Sequence, residues 1–295
     1  MNEAALKRFL RHRLAIFGLS MLGALVLACA LLPLGMGGTR SATDLSQRFL
    51  APSLAHPCGT DDLGRDVLRR LMEGGRISLL VGLFSAVAGT LLGTTVGVLA
   101  GMNGGWVDWL LMSAADAFLA LPLLPLMILL SALDPTTRLI AWTGVPGLKR
   151  VLDPSLVNIL TLIVMFGWMT TARLVRASLL VLKEMEFVLA ARVLGASAWR
   201  LATVHLLPNA LAPILVAVTL AVGRGILYES VLSFLGLGIQ PPMPTWGNML
   251  TNAQEALWKA PWLALFPGAM ILATVVSVNF VGDGLRDALD PRSRR

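Results

Sequence analysis

The 295-residue chain is 56% hydrophobic and only 14% charged, with a mean hydropathy of +0.75, a balance too apolar and too poor in ionic surface for a soluble globular domain. Its net charge of +7 and pI near 10.4 do not point to nucleic acid, because no basic stripe interleaves with stacking aromatic side chains. In a lipid-embedded chain, excess Lys and Arg instead marks loops on the cytoplasmic side.

A helix needs about 20 apolar residues to cross a hydrocarbon core about 30 Å thick. That test picks out about six spans, at 14–34, 77–102, 109–133, 156–180, 210–235 and 262–281, and predicts an all-α polytopic membrane bundle. The first follows Lys7, Arg8, Arg11 and Arg13 and contains Val26-Leu27-Ala28-Cys29, a pattern similar to a secretory or lipoprotein signal. Its apolar run exceeds the roughly 7 to 15 residues of a signal peptide, so a retained helix is expected.

The loop from Gly35 to Arg76 follows, and the first helix and this loop form a leading segment, 1–76. Cys29 lies in a span and Cys58 in the loop, so both are read as free thiols. His12, His56 and His205 have no second ligand at metal spacing, and no bound metal or other cofactor is expected. The other five spans make a core, 77–290, ahead of a basic tail, 291–295. Gly82, Gly89, Gly93 and Gly97 of the second span allow close helix approach.

Positive charge near the span ends sets orientation. The N-terminal cluster, then Arg173, Arg176, Lys183, Arg192 and Arg200, and finally Arg286, Arg292, Arg294 and Arg295 fall on one side, which predicts cytoplasmic termini. The 35–76 loop and the connections 134–155 and 236–261 fall outside. The outer loop is itself rich in Arg, so the charge count favours this topology only slightly. Among the ionisable residues within spans, Asp116, Arg224 and Glu229 are candidates for a translocation path or a buried ion pair, because charge is costly in lipid. At 1.5 Å per residue Asp116 sits about 15 Å beyond Trp106 and Arg224 about 22 Å beyond Asn209, so their levels differ by about 7 Å, within reach of an Arg side chain. Both run outward, so an ion pair between Asp116 and Arg224 is the preferred reading, ahead of contact with cargo.

The stretch between the fourth and fifth spans carries the most information. Ala190 and Ala191 favour a short helix, Gly195 permits a turn, and Pro208 suits the start of the next helix. A helix-turn-helix on the cytoplasmic face follows, suited to docking in a groove of another protein and passing motion to it as a body. An ordinary amphipathic loop helix is the alternative.

The run Leu189-Ala190-Ala191-Arg192-Val193-Leu194-Gly195-Ala196, with His205-Leu206-Leu207-Pro208 after it, resembles the EAA coupling loop of ATP-binding-cassette importer permeases. Leu189 stands where that pattern has Glu, and His205 where it has a branched apolar residue. Further motifs occur in order: His56-Pro57-Cys58-Gly59-Thr60-Asp61-Asp62-Leu63-Gly64-Arg65-Asp66-Val67-Leu68, Arg173-Leu174-Val175-Arg176, Leu232-Ser233-Phe234-Leu235-Gly236-Leu237-Gly238, Pro241-Pro242-Met243-Pro244-Thr245-Trp246-Gly247 and Gly282-Asp283-Gly284-Leu285-Arg286-Asp287-Ala288-Leu289-Asp290-Pro291. Together they resemble the C-type permease subunit of the peptide/nickel importer family. Cys58 replaces a more usual apolar residue.

That resemblance implies a bacterial inner-membrane subunit partnered by a homologous second permease, two cytoplasmic ATPase subunits or domains, an external substrate-binding protein and membrane lipid, without nucleic acid. It also implies that ATP and Mg bind on the ATPase partners. The chain itself has no phosphate-cradling Gly-x-x-x-x-Gly-Lys-Ser/Thr loop and no recognisable protease or hydrolase motif, so a transport subunit rather than an enzyme is expected. The rivals are an ion-coupled secondary carrier, against which the lack of a visible inverted repeat counts, and an intramembrane enzyme using Asp116, Glu229 or His205.

Overall fold

A computed structural model of the chain describes residues 3–36, 43–133 and 153–289. The basic tail 291–295, most of the 134–155 connection and part of the 35–76 loop lie outside the described residues. Every regular element among those described is helical, and five helices are long and apolar enough to cross a membrane, or six when one bent pair counts as a span. Helix α1 (Glu3–Phe9) leads into α2 (Arg13–Gly35). Next come α3 (Val67–Asn103), α4 (Gly105–Ala120), α5 (Leu123–Leu133), α6 (Pro154–Lys183) and α7 (Glu186–Val193). The continuous α8 (Ala198–Phe234), α9 (Trp246–Ala256) and α10 (Trp262–Leu289) complete the chain.

The third expected span is not a straight crossing. It breaks into α4 and α5, bent by 90°, because Pro122 has no N–H to donate and crowds the carbonyl four residues back. It also drives Leu121 into an extended conformation, φ −81° and ψ 145°. At the other extreme, α3 has 37 residues, about 55 Å of helix at 1.5 Å per residue, and projects well beyond a 30 Å hydrocarbon layer. Asp66 caps its start by accepting the Arg69 N–H at 3.0 Å. Lys183 donates to the Gly101 carbonyl, and at 3.0 Å to that of Met102, placing a cation on the negative end of its dipole.

Glycine sets the packing of α3 on α6. A Cβ added at Gly93 would stand 2.4 Å from the Trp168 carbonyl oxygen, and one at Gly97 2.6 Å from that of Ala172, so the two backbones meet without intervening side chains. The second anchor is Trp246, wholly buried, whose indole N–H donates to the Leu71 carbonyl at 2.9 Å. It packs with Cys29, Leu71, Met249 and Leu263, joining α2, α3, α9 and α10 at the end of the bundle where α3 begins.

Helix α2 packs along α10 and is tied down at both ends. His12 lies 3.5 Å from Asp287. Near the other end, Pro33 cannot donate to the Cys29 carbonyl. Arg76 takes over, donating to the carbonyls of Cys29 at 2.7 Å and Ala30 at 2.6 Å, and so satisfies the Cys29 acceptor that lipid would leave bare. The outward-facing residues of the helices, among them Phe17, Leu27, Leu80, Phe84, Leu91 and Leu272, are exposed apolar side chains, the pattern of a surface solvated by acyl chains.

Candidate functional site

At the end of the bundle that carries the N-terminus of α2 and the C-terminus of α10, helix α7 and the first turns of α8 form a projecting knob. Helix α7 ends where the sequence predicts. Gly195 has φ +85°, its N–H donates to the Arg192 carbonyl at 3.0 Å, and the Ala196 N–H reaches back to that of Ala191 at 3.0 Å. This double closure satisfies the last carbonyls of α7 with a left-handed residue that favours glycine. Ser197 then caps the next helix by accepting the Arg200 N–H at 3.3 Å.

Helical structure does not restart at Pro208; it runs through. Residues Leu201–Leu206 form a wide π turn, in which the Leu207 N–H donates to the Ala202 carbonyl five residues back. This turn lets the chain pass Pro208. The base of the knob is apolar: Val188, fully buried, packs with Val175, Leu179, Leu201, Leu206 and Ala210, with Ala191, Ala196 and Leu207 against them. Its crown is apolar too and is exposed. Val193, Leu194 and Trp199 are 86%, 87% and 77% accessible, with Ala190, Arg192 and Arg200 exposed around them. Val193 and Leu194 fill unspecified positions of the quoted run and Trp199 lies beyond it, so none of the three was singled out in the sequence; their signal is only a set of large apolar residues flanking the turn. His205 is half-buried, and its carbonyl accepts from the Asn209 side chain at 2.7 Å.

The expected Asp116–Arg224 pair does not form. Asp116 faces Arg173 instead, at 3.3 Å, with both side chains more than half exposed. Arg176 grips Asp108 through two hydrogen bonds of 2.5 and 2.6 Å. The Arg173–Arg176 motif thus ties α6 to α4. Similar depth in the membrane was a poor guide to pairing, because it leaves open which way each helix face points. Arg224 has no hydrogen-bond or ion-pair partner among the described residues and is exposed at the edge of two clefts.

Glu229 is completely buried and has no cationic partner among the described residues. Its carboxylate accepts from Ser78 at 3.0 Å and Ser233 at 2.8 Å, with Ser230 at 3.5 Å. Those hydroxyls in turn accept backbone N–H groups: Ser78 that of Trp246 at 3.2 Å and Ser233 that of Ile239 at 3.1 Å. Glu229 is thereby the centre of a polar hub that holds the 236–246 segment on α3 and α8. The 56–66 motif is likewise a folded bracket. His56 bridges Asp66 at 2.8 Å and Gln47 at 3.0 Å. Asp61 accepts from the backbone of Leu63 and Arg65, both at 2.9 Å, and from the Arg65 side chain at 2.7 Å. Among the described residues no group of His, Cys, Asp and Glu is placed to hold a metal.

The family of the bundle is decided by comparison with known sequences. Residues 93–295 match the family described as the binding-protein-dependent transport system inner membrane component. The chain belongs to that family. Residues 3–52 match a second profile, the N-terminal transmembrane domain of oligopeptide transport permease C, so the match extends to both sides of the 56–66 bracket.

Curated relatives agree over nearly the full length. The dipeptide transport system permease protein DppC of Alkalihalophilus pseudofirmus is 40% identical over 98% of this chain and 90% of its own. The oligopeptide transport system permease protein OppC of Bacillus subtilis is 38% identical over 99% of this chain and 90% of its own. The chain is therefore a multi-pass permease subunit of an ATP-binding-cassette importer.

Proposed function

We propose that this subunit forms half of a translocation path for short peptides and that the knob at 186–208 docks on a separate ATPase. The observation that carries the coupling assignment is the crown: Val193, Leu194 and Trp199 expose large apolar surface on a knob whose base is locked to α6 and α8. Isolated apolar residues this exposed, on a rigid mount outside the apolar belt, suit a groove on a soluble partner. The peptide cargo is supported by the printed names of relatives that share nearly the whole chain, which are dipeptide and oligopeptide permeases.

The same reading gives the subunit its partners: a homologous second permease, two ATPase subunits or domains that bind ATP and Mg, and an external substrate-binding protein. It divides the chain into the leading segment 1–76, a permease core 77–290 and the tail 291–295. The termini and the knob are cytoplasmic, a placement supported by Lys7, Arg8, Arg11, Arg13, Arg192 and Arg200 lying towards one end of the bundle. Closure of the ATPase pair on ATP displaces the knob as a body, and the spans reopen the path towards the other side. The subunit makes and breaks no bond in the cargo, and alone neither binds nor hydrolyses ATP.

The test is association. Leu194→Glu places a charge in the middle of the crown, and the ATPase is expected to be lost from the purified complex while the permease stays at its normal level in the membrane. Retained ATPase and undiminished peptide uptake would overturn the docking assignment.

A further inference from the structure

Arg224 is a cation within a span, and such a residue is costly in lipid unless it meets an anion or a polar cavity. The two acids expected inside the spans are both engaged elsewhere: Asp116 faces Arg173, and Glu229 is enclosed by Ser78, Ser230 and Ser233. Arg224 lies ten residues before the end of α8 at Phe234, about 15 Å along the helix at 1.5 Å per residue, which is well inside the apolar layer.

Arg224 lines two spaces. One is a small cleft of about 40 Å³ against Ser85, Gly89, Phe166 and Tyr228. The other is an open cavity of about 780 Å³ between α6, α8 and α10, and it contains Thr170, Asn279 and Arg286. Its remaining walls are apolar, including Leu174, Pro213, Val216 and Leu220, and among the described residues no carboxylate lines it. The cavity falls within the range of about 300–1,000 Å³ typical of small-ligand sites. Its described lining offers two cations, two neutral polar groups and no anion.

We propose that Arg224 recognises the free C-terminal carboxylate of a peptide in transit, through the two parallel hydrogen bonds that a guanidinium makes to a carboxylate. This rests on the peptide reading above. The carboxylate is the negative group common to peptides of every side-chain composition, whereas the apolar walls accept varied side chains without selecting among them. Arg286, near the end of α10, supplies a second cation along the same cavity. Arg224 is thus a cargo-binding residue, one that α8 presents at the rim of both clefts.

The experiment uses the complete reconstituted importer with its binding protein loaded to saturation. Uptake of a peptide with a free C-terminus is compared with uptake of the same peptide as its C-terminal amide. In the wild type the free acid is expected to be favoured. Arg224→Gln is expected to bring the acid-to-amide ratio down roughly tenfold, the worth of a charge-assisted hydrogen bond. Arg224→Lys, with the charge but not the planar fork, should fall between. A purely structural role would scale both substrates alike and leave the ratio unmoved, overturning the proposal. Failure of the Gln variant to assemble with the second permease, with Lys restoring assembly, would also overturn it, because Arg224 would then be paired with an acid of that subunit. If the wild type carries neither peptide, the peptide reading itself fails and this proposal with it.

Discussion

Gly195 separates a backbone effect from a docking effect. Its φ of +85° lies in the region where an L residue costs about 1–2 kcal/mol, so Gly195→Ala should destabilise the turn by about that much. A Cβ there meets nothing within 4 Å, so no clash within the chain adds to this cost. Gly195→Arg pays the same backbone penalty as Ala, and its long side chain reaches only outward, beside Val193 and Leu194. The bundle should remain inserted in all variants, since the turn lies outside the spans. Gly195→Asn, which tolerates the left-handed region, should behave like the wild type. The assay is membrane level, ATPase co-purification and peptide uptake for Ala, Asn and Arg together. Near-normal Ala and Asn variants beside an Arg variant that keeps its membrane level but loses ATPase and uptake fit a docking turn. If Arg retained normal association and uptake, or if Ala failed as completely as Arg, the turn would not be acting through a partner surface.

Trp246→Ala should remove about 3–5 kcal/mol, the cost of deleting a large buried aromatic, and lower the yield of folded protein in detergent; unchanged thermal stability would show that the α2, α3, α9 and α10 junction does not depend on it. Arg76→Met should destabilise by about 1–3 kcal/mol, because it bares the Cys29 carbonyl in an apolar setting. Pro33→Ala, which restores an internal donor for Cys29, should reduce that loss in the double variant; strict additivity in thermal melts would contradict the link. The Asp116–Arg173 pair is open to solvent, and its double-mutant coupling should stay below about 1 kcal/mol. The shielded two-bond Asp108–Arg176 pair should exceed it, a ranking that the same cycles can reverse.

Hydropathy made the spans legible because each must present about 20 apolar residues to lipid, and the turn at Gly195 was legible because few residues accept its backbone geometry. The break at 121–122 carried a visible signal in Pro122, but a sliding apolar window registers composition and is blind to a missing N–H. The passage of α8 through Pro208 was hidden for the opposite reason. Proline reads as a helix start, and only the wide turn at 201–206 shows how the ladder shifts by one residue to absorb it. The partners of Asp116 and Arg224 depend on helix rotation, which neither length nor charge specifies. Glu229 was visible as an ionisable residue in a span, but its hydroxyl donors come from 78, 230 and 233, and residue 78 lies on another helix.

Because α8 is unbroken from Ala198 to Phe234, the crown residue Trp199, the cation at 224 and the carboxylate at 229 sit on one shaft. Five-residue spacing at 201–206 makes that stretch wider than the rest of the shaft, and burial of Leu201, Ala202 and Leu206 at the base of the knob holds it in place. Under the docking proposed above, rotation of the crown reaches Arg224 and the Glu229 hub in fixed phase, so the cleft and the outer segment would respond to the same stroke without a separate linkage. A residue that loosens this stretch should leave the knob moving and the path still.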